Sequence, residues 1–223
     1  MEKNKMITLK EVKKHPDVKV YIKKANDFLG VIGYTEHGER HGNYVAKNAR
    51  RILQELGYDT NTCELAAIAG YIHDIGNVVS RYSHPANSAY LATQFLKELG
   101  MPVEDRVIVM SAVGNHDEGA CDIVSPVSAA LVIADKSDVH RSRVRSVKEI
   151  KFDIHDRVNY AVTKSKLHIN IPKKKMITLK LAIDKEISDM VEYFEIFTAR
   201  MVACRRAAKL LGCTFNVEVN GSP

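Results

Sequence analysis

The sequence predicts a mainly α protein, a helical bundle carrying a small C-terminal α+β appendage of antiparallel hairpin, helix and strand. Apolar residues recur at helical spacing as far as about Ile150, interrupted by Gly, Pro or capping residues. Beyond that point Leu167, Ile169 and Ile171, then Ile177, Leu179 and Leu181, alternate with polar residues in the two-residue period of strands. With 223 residues, 45% hydrophobic and 27% charged, the chain is an ordinary globular sequence with room for a core and an appendage. The expected division is 1–148 for the helical domain and 149–223 for the α+β subdomain.

Thr8 followed by Glu11 has the form of a capping box, and the pattern after it breaks at His15-Pro16, so two short helices are expected. Gly30 to Gly38 reads as a loop. Val45, Ala49, Ile52, Leu53 and Leu56 then mark a helix that begins near His41 and stops at Gly57. Asn61 with Glu64 is a second capping signal, opening a helix whose apolar run (Leu65, Ala66, Ile68, Ala69, Ile72) belongs in the core and ends at His73-Asp74. Further helices are expected from about Pro85 to Leu99, from about Val103 to Val113, and from Pro126 to near Asp135. In the appendage, Ile187, Met190, Val191, Phe194, Met201 and Val202 mark a long amphipathic helix, and Phe215, Val217 and Val219 a last strand. The hexapeptide Lys5 to Lys10 recurs identically at Lys175 to Lys180, once at a helix start and once in a strand pattern, and is read as coincidence rather than a repeat.

No apolar run is long enough to span a bilayer, and the start MEKNKMITLKEVKK lacks the apolar core of a secretion signal, so a cytoplasmic protein is expected. Cys63, Cys121, Cys204 and Cys213 are scattered and read as reduced, buried thiols. A formal charge of +6 admits an anionic partner such as a nucleotide or phosphoester without requiring one. Lys164, Lys166, Lys173, Lys174 and Lys175 have no aromatic residues interleaved as single-strand binders would, so nucleic acid is disfavoured and a solvated strand edge is the simpler reading.

Four of the nine histidines, His41, His73, His84 and His116, fall at or near expected helix ends. The dipeptide His-Asp decides nothing alone, since it occurs at His73-Asp74, His116-Asp117 and His155-Asp156. Taken singly, each residue is an ordinary hydrogen-bonded histidine or helix-end carboxylate. Order and context count for more: a histidine on one helix, His-Asp at the end of a buried second and Asp135 on a third could converge on one ion, because the unravelling helix terminus frees adjacent side chains to point together. Imidazole nitrogen mixed with carboxylate oxygen suits Mn, Fe, Co, Ni or Zn better than Ca, with Mg admitted.

The stretch from about Arg40 to Arg145, through Arg40-His41-Gly-Asn-Tyr-Val45-Ala46, Tyr71-Ile-His73-Asp74-Ile-Gly76 and Ala134-Asp135, resembles the HD superfamily of metal-dependent phosphohydrolases. That resemblance implies an all-helical bundle, phosphoester hydrolysis, and His41, His73, Asp74 and Asp135 as ligands to a divalent ion. His84-Pro85-Ala-Asn-Ser-Ala89 and Asn115-His116-Asp117-Glu118 resemble the further histidines of binuclear subgroups such as HD-GYP phosphodiesterases and HD-type dinucleoside tetraphosphate hydrolases. They would complete a second site with Asp74 bridging, giving one or two ions per chain. Asn77 departs from the pattern, in which Lys commonly follows HD-I-G, and no Gly-Tyr-Pro element follows His116.

Among the basic residues near these positions (Arg81, Lys136, Arg141, Arg143, Arg145), Lys136 and Arg143 are the candidates to face a phosphate, with Asp74 as the third catalytic residue. His37 could share the His41 face and Asp117 could orient a histidine; His15, His140, His155 and His168 are assigned no role. The leading expectation is hydrolysis of a small phosphoester or phosphoanhydride, a nucleotide above all, by metal-activated water. A di-iron oxygenase on the same ligands and a non-catalytic nucleotide-binding module are the alternatives. A homodimer through the appendage is a guess.

Overall fold

A computed structural model describes residues 6–146, 153–170 and 175–222. The expected boundary at 148/149 and the lysines at 173 and 174 lie outside them. The chain is a mainly helical bundle with a small three-stranded sheet at its C-terminal end.

The first helix, α1 (Leu9–Val12), is closed by the expected box, Thr8 capping the Glu11 N–H while the Glu11 carboxylate takes the Thr8 N–H. The second corrects the expectation of a short helix: α2 (Pro16–Val31) has 16 residues. Pro16 starts it rather than breaking it, since proline in the first turn gives up an N–H that has no intrahelical partner, and Val18, Ile22, Ala25 and Leu29 then form one buried stripe. Next comes α3 (Glu39–Glu55), followed by α4 (Thr60–Ile72). The cap of α4 is Asp59, not Asn61: its carboxylate accepts the Thr62 N–H at 3.0 Å, while the Asn61 amide donates to Asp105. The bundle continues with α5 (His84–Glu98), α6 (Val103–Gly114) and α7 (Pro126–Lys136), with single 3-10 turns at Ile75–Val78, Glu118–Ala120 and Arg141–Arg143.

Helix α4 is buried along its whole face, from Leu65 to Ile72, and forms the axis of the bundle. It meets α3 closely because Gly42 and Gly70 carry no side chain at the crossing. A Cβ on Gly70 would stand 2.9 Å from the Ala46 backbone, and one on Gly42 would stand 2.9 Å from the Tyr71 carbonyl oxygen. That approach brings His41 on α3 beside His73 at the end of α4.

The appendage opens with a helix the sequence reading missed, α8 (Ile154–Ala161), capped by Asp153 and running directly into β1 (Val162–Asn170). β1 pairs antiparallel with β2 (Met176–Ile183), Leu167 opposite Leu179 and Ile169 opposite Ile177. The long helix α9 (Met190–Leu210) then crosses back, so β3 (Thr214–Val219) lies parallel to β2 on its other side. The Arg51 guanidinium donates to the Leu167 carbonyl at 2.8 Å and the Ser165 hydroxyl to the Ser137 carbonyl at 2.6 Å, joining the sheet to α3 and to the end of α7. Ala203, Cys204, Ala207 and Ala208 of α9 are buried with the α7 side chains in one hydrophobic cluster that runs through both parts. All four cysteines are free and buried. No helix among the described residues is long and apolar enough to cross a membrane.

Gly76 fixes the turn after the His-Asp pair. Its N–H donates to the Ser88 hydroxyl at 2.7 Å, and a Cβ there would lie 2.3 Å from both the His84 carbonyl oxygen and the Ser88 nitrogen. Backbone atoms cannot step aside for a methyl group. Gly76→Ala is therefore expected to cost about 2–4 kcal/mol of stability, read as a lowered midpoint of thermal or urea unfolding.

Candidate metal centre

His73 caps α4 and His116 lies just past the end of α6, where the last-turn carbonyls have no intrahelical donor. These carbonyls take up the rings. His73 Nδ1–H donates to the Gly70 carbonyl at 2.9 Å and His116 Nδ1–H to the Val113 carbonyl at 2.7 Å. His84, at the start of α5, donates in the same way to the Arg81 carbonyl at 2.8 Å. His41 is held differently, by the Asp138 carboxylate at 2.7 Å from Nδ1. Carbonyls and carboxylates only accept, so Nδ1 is the protonated nitrogen in all four rings, and each Nε2 turns a lone pair inward.

Those lone pairs meet around Asp74, in two groups. In the first, His41 Nε2 lies 3.2 Å from His73 Nε2. It is also 3.3 Å from Asp135 Oδ1 and 3.6 Å from Asp74 Oδ2, while His73 Nε2 is 3.2 Å from that same Asp74 oxygen. His41, His73 and Asp74 thus bring ligand atoms close enough together to share one ion, and His73 and Asp135 do so with His116. In the second group, His84 Nε2 and His116 Nε2 are 3.2 Å apart and lie 3.5 and 3.8 Å from the other Asp74 oxygen, Oδ1. All six side chains are buried, and Asp74 Oδ2 accepts no hydrogen bond of good geometry among the described residues. Nitrogen lone pairs packed against carboxylate oxygens in a dry interior repel one another unless a cation lies between them, so this donor set fits a metal ion.

The same crowding distorts the proton affinities. Burial works against the charged form of His73, but the Asp74 and Asp135 carboxylates outweigh it and hold the imidazole up at about 10. Burial, together with the neighbouring His73 and His84, pushes His116 down to about 3. Against the opposing effect of burial, His73 holds Asp74, and Lys136 with the two histidines holds Asp135, well below the usual carboxylate range.

Lys136 is buried among carboxylates, its ammonium 2.8 Å from Asp135 Oδ2, 2.6 Å from Glu118 Oε2 and 3.9 Å from Asp117 Oδ1. It thus neutralises the outer oxygen of Asp135. Arg143 is buried too, donating to the carbonyls of Glu36 at 3.1 Å and Asp138 at 2.9 Å, while its Nη2 has no partner among the described residues. Asn77 donates to the Asp74 carbonyl at 2.9 Å and to Asp74 Oδ1 at 3.2 Å, so it steadies the carboxylate shared by the two groups. His37 stands edge-on to His41 at 5.4 Å, and burial and Arg143 keep its imidazole well below the ordinary value. Arg141 stacks on Tyr160, and Arg145 binds Asn26, Tyr34 and Thr35.

A cavity of about 480 Å³ lies one layer out from the cluster: none of the six converging side chains lines it, but His37 and Arg81, which touch His41 and His84, do, together with Glu118 and Arg143 and, from the appendage, Asp153, Asn159, Phe197 and Arg200. A gap of about 10 Å³ touches His37, His41, His73 and Asp74, room for about one water.

Sequence reasoning missed Asp138, Glu118 and Arg200. Asp138 could have been found: an acidic residue one helical turn past a candidate carboxylate ligand is placed to orient a neighbouring histidine, and here Arg40 grips the same carboxylate through two contacts of 3.2 and 2.7 Å. Glu118 and Arg200 meet across 82 positions, and nothing local pairs them.

A helical bundle that buries converging histidines and aspartates in this way is suited to holding a metal ion. The HD domain matches residues 40–158, more than half of the chain, and the chain belongs to the HD domain family. The chain is also 28% identical over 169 residues to the uncharacterized protein MJ1020 of Methanocaldococcus jannaschii, an alignment that covers 65% of this chain and 64% of that protein.

Removing the carboxylate behind His41 tests how firmly the ring is held. Asp138→Ala is expected to lower affinity for Mn²⁺ or Zn²⁺ by about 10–100-fold, measured by titration of metal-stripped protein, with the helical circular dichroism retained.

Proposed function

We propose that the protein is a hydrolase of small phosphoesters or phosphoanhydrides, nucleotides foremost, working with two divalent transition-metal ions. The observation that carries this reading is the pair of nitrogen and oxygen groups on the two oxygens of one Asp74 carboxylate. His41, His73 and Asp135 stand on the Oδ2 side, His84 and His116 on the Oδ1 side. In that reading these six residues are the ligands, and Asp74 is shared. When bound, such ions supply Lewis acidity that brings the pKa of a water toward neutrality and draws charge from phosphoryl oxygens.

The residues of the chain itself do the rest. The four Nδ1–H bonds fix the ring orientations and aim each Nε2 at the cluster, so that little reorganisation is needed on loading. Lys136 keeps Asp135 ionised. Arg143, which lines the cavity, and Arg81, within 3.3 Å of the His84 ring, are the guanidinium groups that would meet phosphate oxygens beside the cluster. The α8 side of the wall offers Asp153 and Asn159 to the hydroxyl or amino groups of the remainder of the substrate, with Phe197 as an apolar surface, and 480 Å³ is ample for a mononucleotide-sized molecule.

Protein purified without chelators should contain metal and hydrolyse at least one member of a panel of phosphomonoesters, phosphodiesters and nucleoside polyphosphates. Asp74→Ala should remove both the metal and at least 1,000-fold of the rate, roughly the effect of losing a group that acts in every step. Turnover preserved in a sample whose metal content has been verified would refute the mechanism. Iron content coupled to substrate-dependent oxygen uptake, with no phosphate released, would assign the ligands to an oxygenase instead.

A further inference from the structure

The candidate ligand on the least regular backbone is His116, which lies between the end of α6 and the 3-10 turn Glu118–Ala120. Two residues further on, Glu118 makes the contacts that fix this segment to the rest of the protein. Its Oε2 meets the buried Lys136 ammonium at 2.6 Å, and its Oε1 meets Arg200 Nε, from the appendage helix α9, at 3.2 Å. Lys136 in turn holds Asp135 Oδ2 at 2.8 Å. A continuous line of alternating charge therefore runs from α9 through the His116 segment to Asp135.

We infer that Arg200 is a positioning residue: through Glu118 it holds the His116 segment in place, so that the C-terminal α+β unit is a working part of the second metal group and not an accessory to the bundle. This rests on the two-ion reading above. Several features set the bridge apart from a solvated surface ion pair. Glu118 is paired on both oxygens, and one of its partners, Lys136, is buried. The Arg200 guanidinium is itself braced at 4.5 Å over the ring of Phe197, which is buried in the core, so the arm that reaches Glu118 is stiff. Arg200 also lies on the cavity wall, so a direct contact with substrate is the competing role, and the two roles differ in what they do to metal. A guanidinium that only binds substrate leaves metal affinity unchanged. One that holds His116 in place through Glu118 does not.

The experiment is a Mn²⁺ titration of metal-stripped full-length protein, followed calorimetrically and checked by elemental analysis, on the wild type, Arg200→Ala, Arg200→Lys and Glu118→Gln. The wild type is expected to take two ions. Arg200→Ala and Glu118→Gln should each weaken one of them about tenfold while leaving the other within about twofold, and Arg200→Lys should recover most of the loss because it restores a cation on Glu118. Circular dichroism and thermal unfolding of each variant confirm that the fold is kept. Two ions bound with wild-type affinities in both Arg200→Ala and Glu118→Gln would overturn the inference and leave the two-ion reading standing; a rise in KM alone would then make Arg200 a substrate contact. A single ion in the wild type would overturn the two-ion reading, and the inference with it.

Discussion

Everything in this bundle is arranged around an electrostatic conflict: four imidazoles and two carboxylates face one another in a buried space. Left alone, such a group would cost far more than any single side chain contributes to folding. The fold resolves the outer half of the conflict with dedicated partners. Helix-end carbonyls hold His73 and His116, the Arg81 carbonyl holds His84, Asp138 holds His41, and Lys136 neutralises the far oxygen of Asp135. The inner half is left to a cation. In its absence a proton on His73 takes that place, which is why the ring is driven to such a high proton affinity while the neighbouring His116 is driven low. On the two-ion reading, a metal ion held by His73 would take the place of that proton, and its affinity would rise with pH.

Much of this was legible in the sequence, for physical reasons that differ from element to element. The axis helix α4 could be read because an unbroken apolar run can only sit inside, and its end was marked by the first polar pair, His73-Asp74. Close approach of α3 was written in small residues, Gly42 and Ala46 on one helix and Gly70 on the other, although their meaning emerges only when the two helices are docked. What could not be read were relations across long separations. Glu118 and Arg200 belong to segments that look like solvated charge in isolation, and β3 could be recognised as a strand but not as a parallel neighbour of β2, since strand order depends on the path of α9.

The repeated hexapeptide shows the same limit at its sharpest. At the N-terminus Thr8 caps a helix and Leu9 enters it; in the second copy Ile177, Thr178 and Leu179 are buried in the central strand of the sheet. Identical local preference is overruled in each place by what the segment packs against. In the first, the Leu9 N–H reaches Glu64 on α4 at 2.5 Å; in the second, strands on both sides supply a complete ladder. Short-range propensity is too weak to decide when tertiary partners on either side satisfy the backbone fully.

The HD match ends at residue 158, yet the cavity beside the metal centre does not. Asn159, Phe197 and Arg200 lie beyond it in sequence, and Tyr34 and His37 lie before it. The matched region thus carries all six converging side chains, while the segments flanking it complete the cavity wall. The wall is thus built jointly, with Arg81, Glu118, Arg143, Asp153 and Asp156 from within the matched region and the flanking segments around them. A change in the α8 or α9 wall can alter which molecule fits without disturbing the bonds that orient the imidazoles, because those bonds are made to carbonyls and to Asp138 within the bundle. The exception is the Glu118–Arg200 contact, where the wall grips the segment carrying His116, and where a residue that shapes the cavity also bears on the metal ligands.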